Sequence, residues 1–217
     1  MLSIRLSSLA KFIDYNDNLI DIGCDHALLD IYLVKSKIIR SLIVSDIHEN
    51  ALKCGIQNIK KEKLEDKIEA RLGDGLNVLN KKDKCDTILI SGMGTSTILN
   101  ILSHDRVNEV NKLILQSNND HYLLRSELIK KGFIITNEEY FIDNNKNYIN
   151  IVFKRGNKKY SKKELRYGPI LIHNKAYLNF ELNNIKKIQK LIPNNKLKYK
   201  ISLWNESRVL NKLINKS

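Results

Sequence analysis

The 217-residue sequence contains little cysteine and little proline, and it has no long apolar run. Its three cysteines, Cys24, Cys54 and Cys85, are far apart and form no Cys-x-x-Cys pair, which argues against a disulfide framework or a zinc site. Apolar runs such as residues 42–44 are far shorter than the roughly 20 residues that cross a bilayer. The pattern also predicts no signal peptide. We therefore expect a cytoplasmic protein with no membrane anchor and no bound metal.

Acidic residues are scarce in the last quarter of the chain, where lysine is abundant. Residues 156–217 contain 15 Lys and Arg against 3 Asp and Glu, whereas residues 1–155 contain 22 against 21. A general bias toward lysine would act along the whole chain, so this imbalance predicts nucleic-acid contact, with a solvated helical face as the alternative. The basic residues predicted to contact RNA are Lys162, Lys163, Lys186, Lys187 and Lys190 in this segment, and Arg5 near the N-terminus.

The first 155 residues alternate between strand-like and helix-like patterns. Such alternation predicts a parallel sheet covered by helices on both faces. Two further strands, 133–141 and 148–154, flank a polar turn and predict a terminal antiparallel pair. The predicted fold is therefore α/β, a Rossmann-like class I methyltransferase sheet of seven strands. The other predicted strands are 19–24, 41–47, 68–72, 86–90 and 112–116, and the predicted helices are 2–13, 28–37, 49–62, 95–102 and 121–131.

Beyond residue 155 the pattern changes to two helices. Pro169 and Pro193 are the only prolines in the sequence, and apolar residues recur at helical spacing between them and again after Pro193. This pattern predicts a coiled-coil-like helical hairpin. We expect a catalytic α/β domain over residues 1–157 and a basic helical domain over residues 158–217.

Candidate ligand-binding residues follow the first three predicted strands. The run from Asp21 to Ala27 ends strand one, and its Gly23 allows close approach of a ligand to the backbone. Asp46 closes the second strand at the distance where a carboxylate can accept hydrogen bonds from both ribose hydroxyls. Asp74, between two glycines after strand three, is placed to accept a hydrogen bond from an adenine amino group.

The residues around Gly23 distinguish between two nucleotide ligands. A dinucleotide site needs Gly-x-Gly-x-x-Gly, and only the first glycine is present here. Asp25 would also face the phosphates, and two unit charges about 4 Å apart repel by about 4 kcal/mol at an effective dielectric of about 20. S-adenosylmethionine has no phosphate and carries a sulfonium and an ammonium group, so Asp21 and Asp25 suit it. The alternative for Asp21 is a cap at the strand end.

Four motifs, taken in order, resemble one family. They are Asp-Ile-Gly-x-Asp-His-Ala at 21–27, Gly-Asp-Gly-Leu at 73–76, Gly-Met-Gly at 92–94 and Leu-Gln-x-Asn at 115–118. Together they resemble the bacterial tRNA adenine-N1-methyltransferases that modify adenosine 22. Arg5-Leu6 resembles the family's N-terminal helix, and Tyr-Gly-Pro at 167–169 resembles the start of its helical domain. The departures from the family pattern are Cys24 for Ser, Asp30 for a frequent Pro, Thr95 for Gly and Ser117 for Pro.

This resemblance implies S-adenosylmethionine as cofactor, tRNA as partner and N1 of adenosine as the methyl acceptor. The N1 lone pair of neutral adenine is free, so alignment and electrostatic support can suffice without a general base. His26 can orient the cofactor, line the base pocket or cap the next helix. The residues expected to line the reaction site are Asp25, His26, Gly92, Met93, Gly94, Gln116 and Asn118. Those expected to bind the cofactor are Asp21, Gly23, Cys24, Asp25, His26, Asp46, Ile47, Gly73, Asp74, Gly75, Ser91 and Gly92.

Three alternatives remain open from the sequence alone. An NAD-dependent oxidoreductase is opposed by the missing glycines and by Asp25. A noncatalytic RNA-binding protein on a Rossmann scaffold would keep the basic tail but would not need Asp21, Gly23, Asp46 and Asp74 together. A small-molecule methyltransferase leaves the basic tail unexplained. The sequence does not specify the oligomeric state, and we expect a monomer.

Overall fold

The computed structural model describes residues 2–193 and 195–216 of the chain. It consists of two compact units, Met1–Lys158 and Lys159–Ser217. The boundary lies one residue after the one predicted from the sequence.

The first unit is built on a seven-stranded sheet in the order β3-β2-β1-β4-β5-β7-β6. Strands β1 to β5 are parallel, while β7 runs antiparallel to both β5 and β6. This arrangement confirms the predicted Rossmann-like sheet with its antiparallel final pair. The strands are β1 (Leu19–Ile22), β2 (Leu42–Asp46), β3 (Ile68–Leu72), β4 (Thr87–Met93), β5 (Lys112–Ser117), β6 (Phe133–Asp143) and β7 (Lys146–Arg155).

Five helices of the first unit accompany this sheet. The chain alternates between strand and helix up to β6, and β1 and β5 are buried along their whole length, including polar residues such as Asp21 and Gln116. Helix α3 approaches the loop after β1 closely, because a Cβ at Gly55 would lie 3.1 Å from the Asp25 carbonyl oxygen. The helices are α1 (Ile4–Ala10), α2 (Leu28–Lys35), α3 (Glu49–Lys61), α4 (Thr95–Ile101) and α5 (His121–Lys130).

Two elements, α1 and β4, differ most from their sequence predictions. Helix α1 begins after Ser3, whose side chain accepts a hydrogen bond from the Leu6 amide, and it is shorter than the predicted range 2–13. Strand β4 continues past the end of its apolar run at Ile90 to Met93, with a register shift between Ser91 and Met93. Its extension was not predicted because its last residues carry no run of apolar side chains. The Gly-Met-Gly motif therefore begins inside a strand.

The second unit contains α6 (Lys162–Tyr167), α7 (Lys175–Leu191) and α8 (Leu197–Ile214). Ser161 and Glu164 form a reciprocal capping box at the start of α6. Helices α7 and α8 pack against each other as the predicted hairpin, and Glu206 on α8 accepts hydrogen bonds from Arg166 and Tyr167. Over the part of the chain that the structure describes, no helix combines the length and apolar character needed to cross a membrane.

Candidate cofactor site

A cavity of about 500 Å³ opens in the first unit at the carboxyl ends of β1, β2 and β4. This position adjoins the point between β1 and β4 where the strand order reverses, which is where doubly wound sheets bind ligands. Its volume falls within the range of small-molecule sites. The predicted cofactor residues that line it are Asp21, Gly23, Cys24, Asp25, His26, Asp46, Ile47, Gly73, Asp74, Gly75, Ser91 and Gly92.

The loop after β1 has an unusual backbone conformation. Gly23 has φ +82°, and a Cβ there would lie 2.3 Å from the Met93 side chain. Asp25 and Ala27 also have positive φ angles of 50° and 53°, which non-glycine residues adopt at a cost of about 1–3 kcal/mol each. The amides of Gly23 and Cys24 both donate to the Ser45 carbonyl oxygen, at 2.8 and 3.1 Å. These contacts hold the loop against β2 with its backbone facing the cavity.

Asp46 anchors the opposite side of this loop. Its buried carboxylate accepts hydrogen bonds from the backbone amides of Asp25, at 3.2 Å, and His48, at 2.8 Å. A carboxylate oxygen can accept more than one hydrogen bond, so Asp46 still has acceptor capacity for a ligand hydroxyl. The side chain of Ile47 is 58% exposed and lines the cavity beside it, offering an apolar surface to a flat ring.

The carboxyls of Asp21 in β1 and Asp30 in α2 have raised pKa values. Burial and the facing Asp30 carboxyl raise the pKa of Asp21 well above its ordinary value. Burial also raises the pKa of Asp30 to about 7. Burial and the nearby Asp21, Asp30 and Asp46 carboxyls raise the pKa of the Cys24 thiol, so this cysteine is not a thiolate nucleophile.

The wall composition favours a cationic ligand. Asp21, Asp25, Asp46 and Asp74 all line the cavity, and carboxylates repel a pyrophosphate while they attract a sulfonium or an ammonium group. Within the described residues no group of three or more His, Cys, Asp or Glu is arranged to hold a metal ion. The residues present therefore fit S-adenosylmethionine better than a dinucleotide.

Three predicted reaction-site residues are not among those that line the cavity. Gln116 is buried, accepts a hydrogen bond from Arg5 Nη1 at 3.3 Å, and donates one to Asn118 Oδ1 at 3.2 Å. Asn118 in turn donates to the Gly92 carbonyl oxygen at 2.6 Å. These three side chains form a chain of hydrogen bonds that ends at the strand β4 backbone. Gly94, Gln116 and Asn118 thus do not line the cavity, whereas Asp25, His26, Gly92 and Met93 do.

Arg5, which we predicted to contact RNA, lies at the cofactor cavity. Its guanidinium lines the cavity and also lies 3.4 Å from the Ser91 hydroxyl. We predicted an RNA contact from its charge and its position near the N-terminus. Its hydrogen bonds to β4 and β5 residues were not visible in the sequence, because those residues lie far along the chain. RNA contact by Arg5 stays a prediction.

Thr95 and Ser117, two of the departures from the family pattern, hydrogen-bond to each other. Their hydroxyls are 2.8 Å apart, and both residues are buried. Thr95 Oγ1 also donates to the Asn119 carbonyl oxygen at 2.6 Å. The pair joins the start of α4 to the end of β5, and neither residue lines the cavity.

The histidines occupy contrasting environments. His26 lies on the cavity wall, half-exposed, with its Nε2 3.6 Å from the Asp25 carboxylate. His121 is partly buried, and its Nε2 contacts the Ser117 carbonyl oxygen at 3.1 Å. Burial, followed by the positive charge of Arg125, lowers the pKa of His121 to about 4. It is therefore neutral near pH 7.

Some lining residues were missed from the sequence. They include Leu28, Thr97 and Ile101, which are ordinary helix residues without a local signal. Asp30 was noted as a departure from the family pattern, but its contact with Asp21 was not expected. A carboxylate in the first turn of an otherwise apolar helix was the available signal.

Comparison with known proteins agrees with this geometry. A profile of the family described as tRNA (adenine(22)-N(1))-methyltransferase, TrmK, matches residues 19–216. The Bacillus subtilis tRNA (adenine(22)-N(1))-methyltransferase is 32% identical over 159 residues, which are 72% of this chain and 66% of that protein.

Solved structures extend the similarity over nearly the whole chain. TrmK of M. capricolum in complex with S-adenosyl-homocysteine is 29% identical, with a TM-score of 0.87 over 99% of this chain and 98% of that chain. Sp1610 of Streptococcus pneumoniae in complex with S-adenosyl-L-methionine is 29% identical, with a TM-score of 0.90 over 99% of this chain and 100% of that chain. The chain therefore belongs to the tRNA (adenine(22)-N(1))-methyltransferase family, whose cofactor is S-adenosylmethionine.

Proposed function

We propose that this protein transfers a methyl group from S-adenosylmethionine to N1 of an adenosine in tRNA, at position 22. The observation that carries the proposal is the carboxylate-lined cavity at the ends of β1 and β4, in a chain whose relatives are named for this reaction. When bound, S-adenosylmethionine supplies an electrophilic methyl group on its sulfonium. The chain's own residues then have to bind the cofactor, orient it and admit the base.

We propose that residues on one side of the cavity bind the cofactor and that residues on the other side face the incoming base. Asp46 is placed to accept hydrogen bonds from the ribose, and Ile47 to cover one face of the adenine ring. Asp21 lies where a ligand cation would be attracted. On the other side, Met93 and the backbone of Gly92 face the cavity from the end of β4, and Asn118 holds the Gly92 carbonyl in place. Alignment of this kind can provide most of the rate acceleration when no proton must be removed first.

The acceptor must reach this cavity unpaired. N1 lies on the Watson–Crick edge of adenine, so a paired adenosine has to be flipped out or already exposed. We propose that the second unit holds the tRNA backbone through its lysines. Lys162, Lys163, Lys186, Lys187 and Lys190 are all exposed, as phosphate contact requires. The proposed setting is the cytoplasm, consistent with three free cysteines.

The product identifies the reaction. Incubation of the full chain with S-adenosylmethionine and an unmodified tRNA transcript should yield 1-methyladenosine on mass spectrometry of the digested RNA. The modification blocks the pairing edge, so reverse transcriptase should stop beside position 22. A transcript with guanosine at position 22 is the matched control and should accept far less methyl. Methyl groups on the exocyclic amine or on cytosine, with reverse transcriptase reading through, would contradict the proposed acceptor atom.

A further inference from the structure

A buried carboxyl that the proposed reaction does not use lies next to the cofactor cavity. Asp30, in the first turn of α2, is 0% exposed, and neither of its oxygens accepts a hydrogen bond from another side chain or from the backbone of another described residue. It is not part of the cavity wall. It faces Asp21, which is part of that wall and is 5% exposed.

The surroundings of this pair are predominantly acidic. Asp46 on β2 faces Asp21 as a further carboxyl, and the Cys24 thiol in the loop after β1 is close to all three. Arg5 on α1 is the cation that the structure places near Asp21, and its guanidinium is already hydrogen-bonded to Ser91 and Gln116. Three carboxyls and one guanidinium therefore share a site from which water is largely removed.

Two carboxyls that face each other can form a hydrogen bond only if one of them is protonated. Two ionised carboxylates are both acceptors and cannot hydrogen-bond to each other, and their charges repel at short range. If one carries a proton, it donates to the other and provides the missing hydrogen bond of Asp30. Burial raises both pKa values, the facing Asp30 carboxyl raises that of Asp21 further, and the hydrogen bond with Asp21 opposes the rise for Asp30, so the two groups titrate as a pair.

We propose that Asp30 is a positioning residue that shares one proton with Asp21, and that binding of the cationic cofactor beside Asp21 expels this proton to solvent. In the free protein the pair holds one negative charge and one proton. In the complex both carboxyls are ionised, because the sulfonium and ammonium groups of S-adenosylmethionine lie beside Asp21; with its own carboxylate the cofactor brings a single net positive charge, which replaces that of the released proton. The proton leaves as a hydrated proton, and no electron changes hands.

This exchange also distinguishes cofactor from product. S-adenosylhomocysteine keeps the ammonium group but has lost the sulfonium charge, so it compensates the second carboxylate less well. The pair should then keep its proton in the product complex to a greater extent. The preference for cofactor over product should consequently increase as the pH rises through the pKa of the pair. Asp30 would thus contribute to product release in a way that a proline at this position does not.

The sign of the pH dependence follows from linkage. Below the raised pKa of the pair, the free protein holds the proton and binding must release it, so the dissociation constant of S-adenosylmethionine rises as the pH falls through that pKa. One pH unit below that pKa the affinity should be weaker by about tenfold than on the plateau above it. The α-amino group of the cofactor also titrates, at a pKa of about 8. Comparison of variants with the same ligand cancels that contribution.

The test is calorimetric titration of the full chain with S-adenosylmethionine between pH 5.5 and 8. Each pH is measured in two buffers of different ionisation enthalpy, so that the protons released on binding can be counted. The wild type should release protons on binding at pH values below the pKa of the pair, and fewer with S-adenosylhomocysteine. Asp30→Asn keeps the shape, removes one titratable group and can donate an amide hydrogen to Asp21, so its proton release should be smaller and its pH profile flatter than those of the wild type.

Controls separate this role from a structural one. Asp66→Asn removes an exposed carboxyl elsewhere and should leave the proton count unchanged. If Asp30→Asn melts below the assay temperature, Asp30→Pro provides a second variant without a titratable group, since the first helical turn tolerates proline. Equal proton release by the wild type and a folded Asp30 variant would overturn the proposal, as would equal release with cofactor and product. Failure of the wild type to bind S-adenosylmethionine at all would instead contradict the cofactor assignment.

Discussion

At the scale of single residues, Asp46 both fixes the backbone near the cavity and forms part of the cavity wall. Its carboxylate holds the loop after β1 through the Asp25 amide and the start of α3 through the His48 amide. The same group lines the cavity where a ribose would lie. Because the backbone donors keep the carboxylate in one orientation, a ligand does not have to order it on binding, which favours affinity.

Replacement of Asp46 by Ala should weaken S-adenosylmethionine binding about 10- to 100-fold. The loss of a hydrogen bond to a charged group is worth about 1.5–3 kcal/mol, which corresponds to this range of dissociation constants. Isothermal calorimetry measures the change, and a thermal melt checks that the loop still folds. Asp66→Ala, at an exposed position away from the cavity, is the matched control. A dissociation constant equal to that of the wild type would show that Asp46 does not hold the ribose.

Site residues that belong to a local motif at a strand end could be predicted from the sequence. Contacts between residues far apart in the sequence could not. Gly23 and Asp46 carry recognisable signals, since strand ends bring such residues to one edge of the sheet. The contact of Arg5 with Gln116 joins residues 111 positions apart, and no local pattern encodes it. The pairing of Asp21 with Asp30 was missed for the same reason, because burial that perturbs a carboxyl is a property of the packed structure.

At the scale of elements, most helices and strands were predictable because their apolar residues repeat with a clear period. Strand β3 has the predicted bounds, and helices α3 and α5 end one residue earlier than predicted. The extension of β4 and the contact between the start of α4 and the end of β5 were not predictable. Polar residues form both features, so hydrophobic periodicity gives no information about them.

The Thr95–Ser117 hydrogen bond should stabilise the folded protein. Thr95→Val keeps the side-chain volume but leaves buried hydrogen-bonding groups without their partner, so it should lower the free energy of unfolding by about 1–3 kcal/mol. Urea unfolding measures this change, and Ser96→Ala, at an exposed position on the same helix, is the control. Cofactor affinity should stay at the wild-type level, because neither residue lines the cavity.

A double-mutant cycle assigns that energy to the contact itself. If Thr95 and Ser117 stabilise the protein through their mutual hydrogen bond, Thr95→Val and Ser117→Ala should not be additive in free energy of unfolding. Additive effects would mean that each hydroxyl acts through other partners. A large loss of cofactor affinity in either variant would show that the contact shapes the cavity after all.

At the scale of the whole molecule, charge separates along the chain. The segment from residue 156 onward holds 15 basic and 3 acidic residues, whereas residues 1–155 are nearly balanced. The cofactor cavity lies in the balanced unit, and the proposed RNA-contacting lysines lie in the basic one. The positions of the charged residues in the sequence were enough to predict this division, because the net charge of a segment does not depend on the fold. Which lysines contact phosphate is a question of geometry that the sequence does not answer.

Neutralising Lys186, Lys187 and Lys190 to Gln should weaken tRNA binding while sparing cofactor binding. All three are exposed on α7, whose buried side is formed by Leu178, Leu182 and Ile185, so the helix should keep its packing. Each lost phosphate contact should lower the slope of log affinity against log salt by about 0.7–0.9. Filter binding or fluorescence anisotropy over a salt series measures both quantities.

The matched control for this triple variant changes the same net charge in the other unit. Lys60, Lys61 and Lys81 are exposed in the balanced unit, and their replacement by Gln also removes three positive charges. Long-range attraction of the tRNA would fall equally in both variants, whereas a specific phosphate contact is lost only in the first. If the two variants bind tRNA with the same affinity and the same salt slope, the α7 lysines are only a solvated face. The methyltransferase assignment would then stand, and the RNA-binding surface would have to be sought elsewhere.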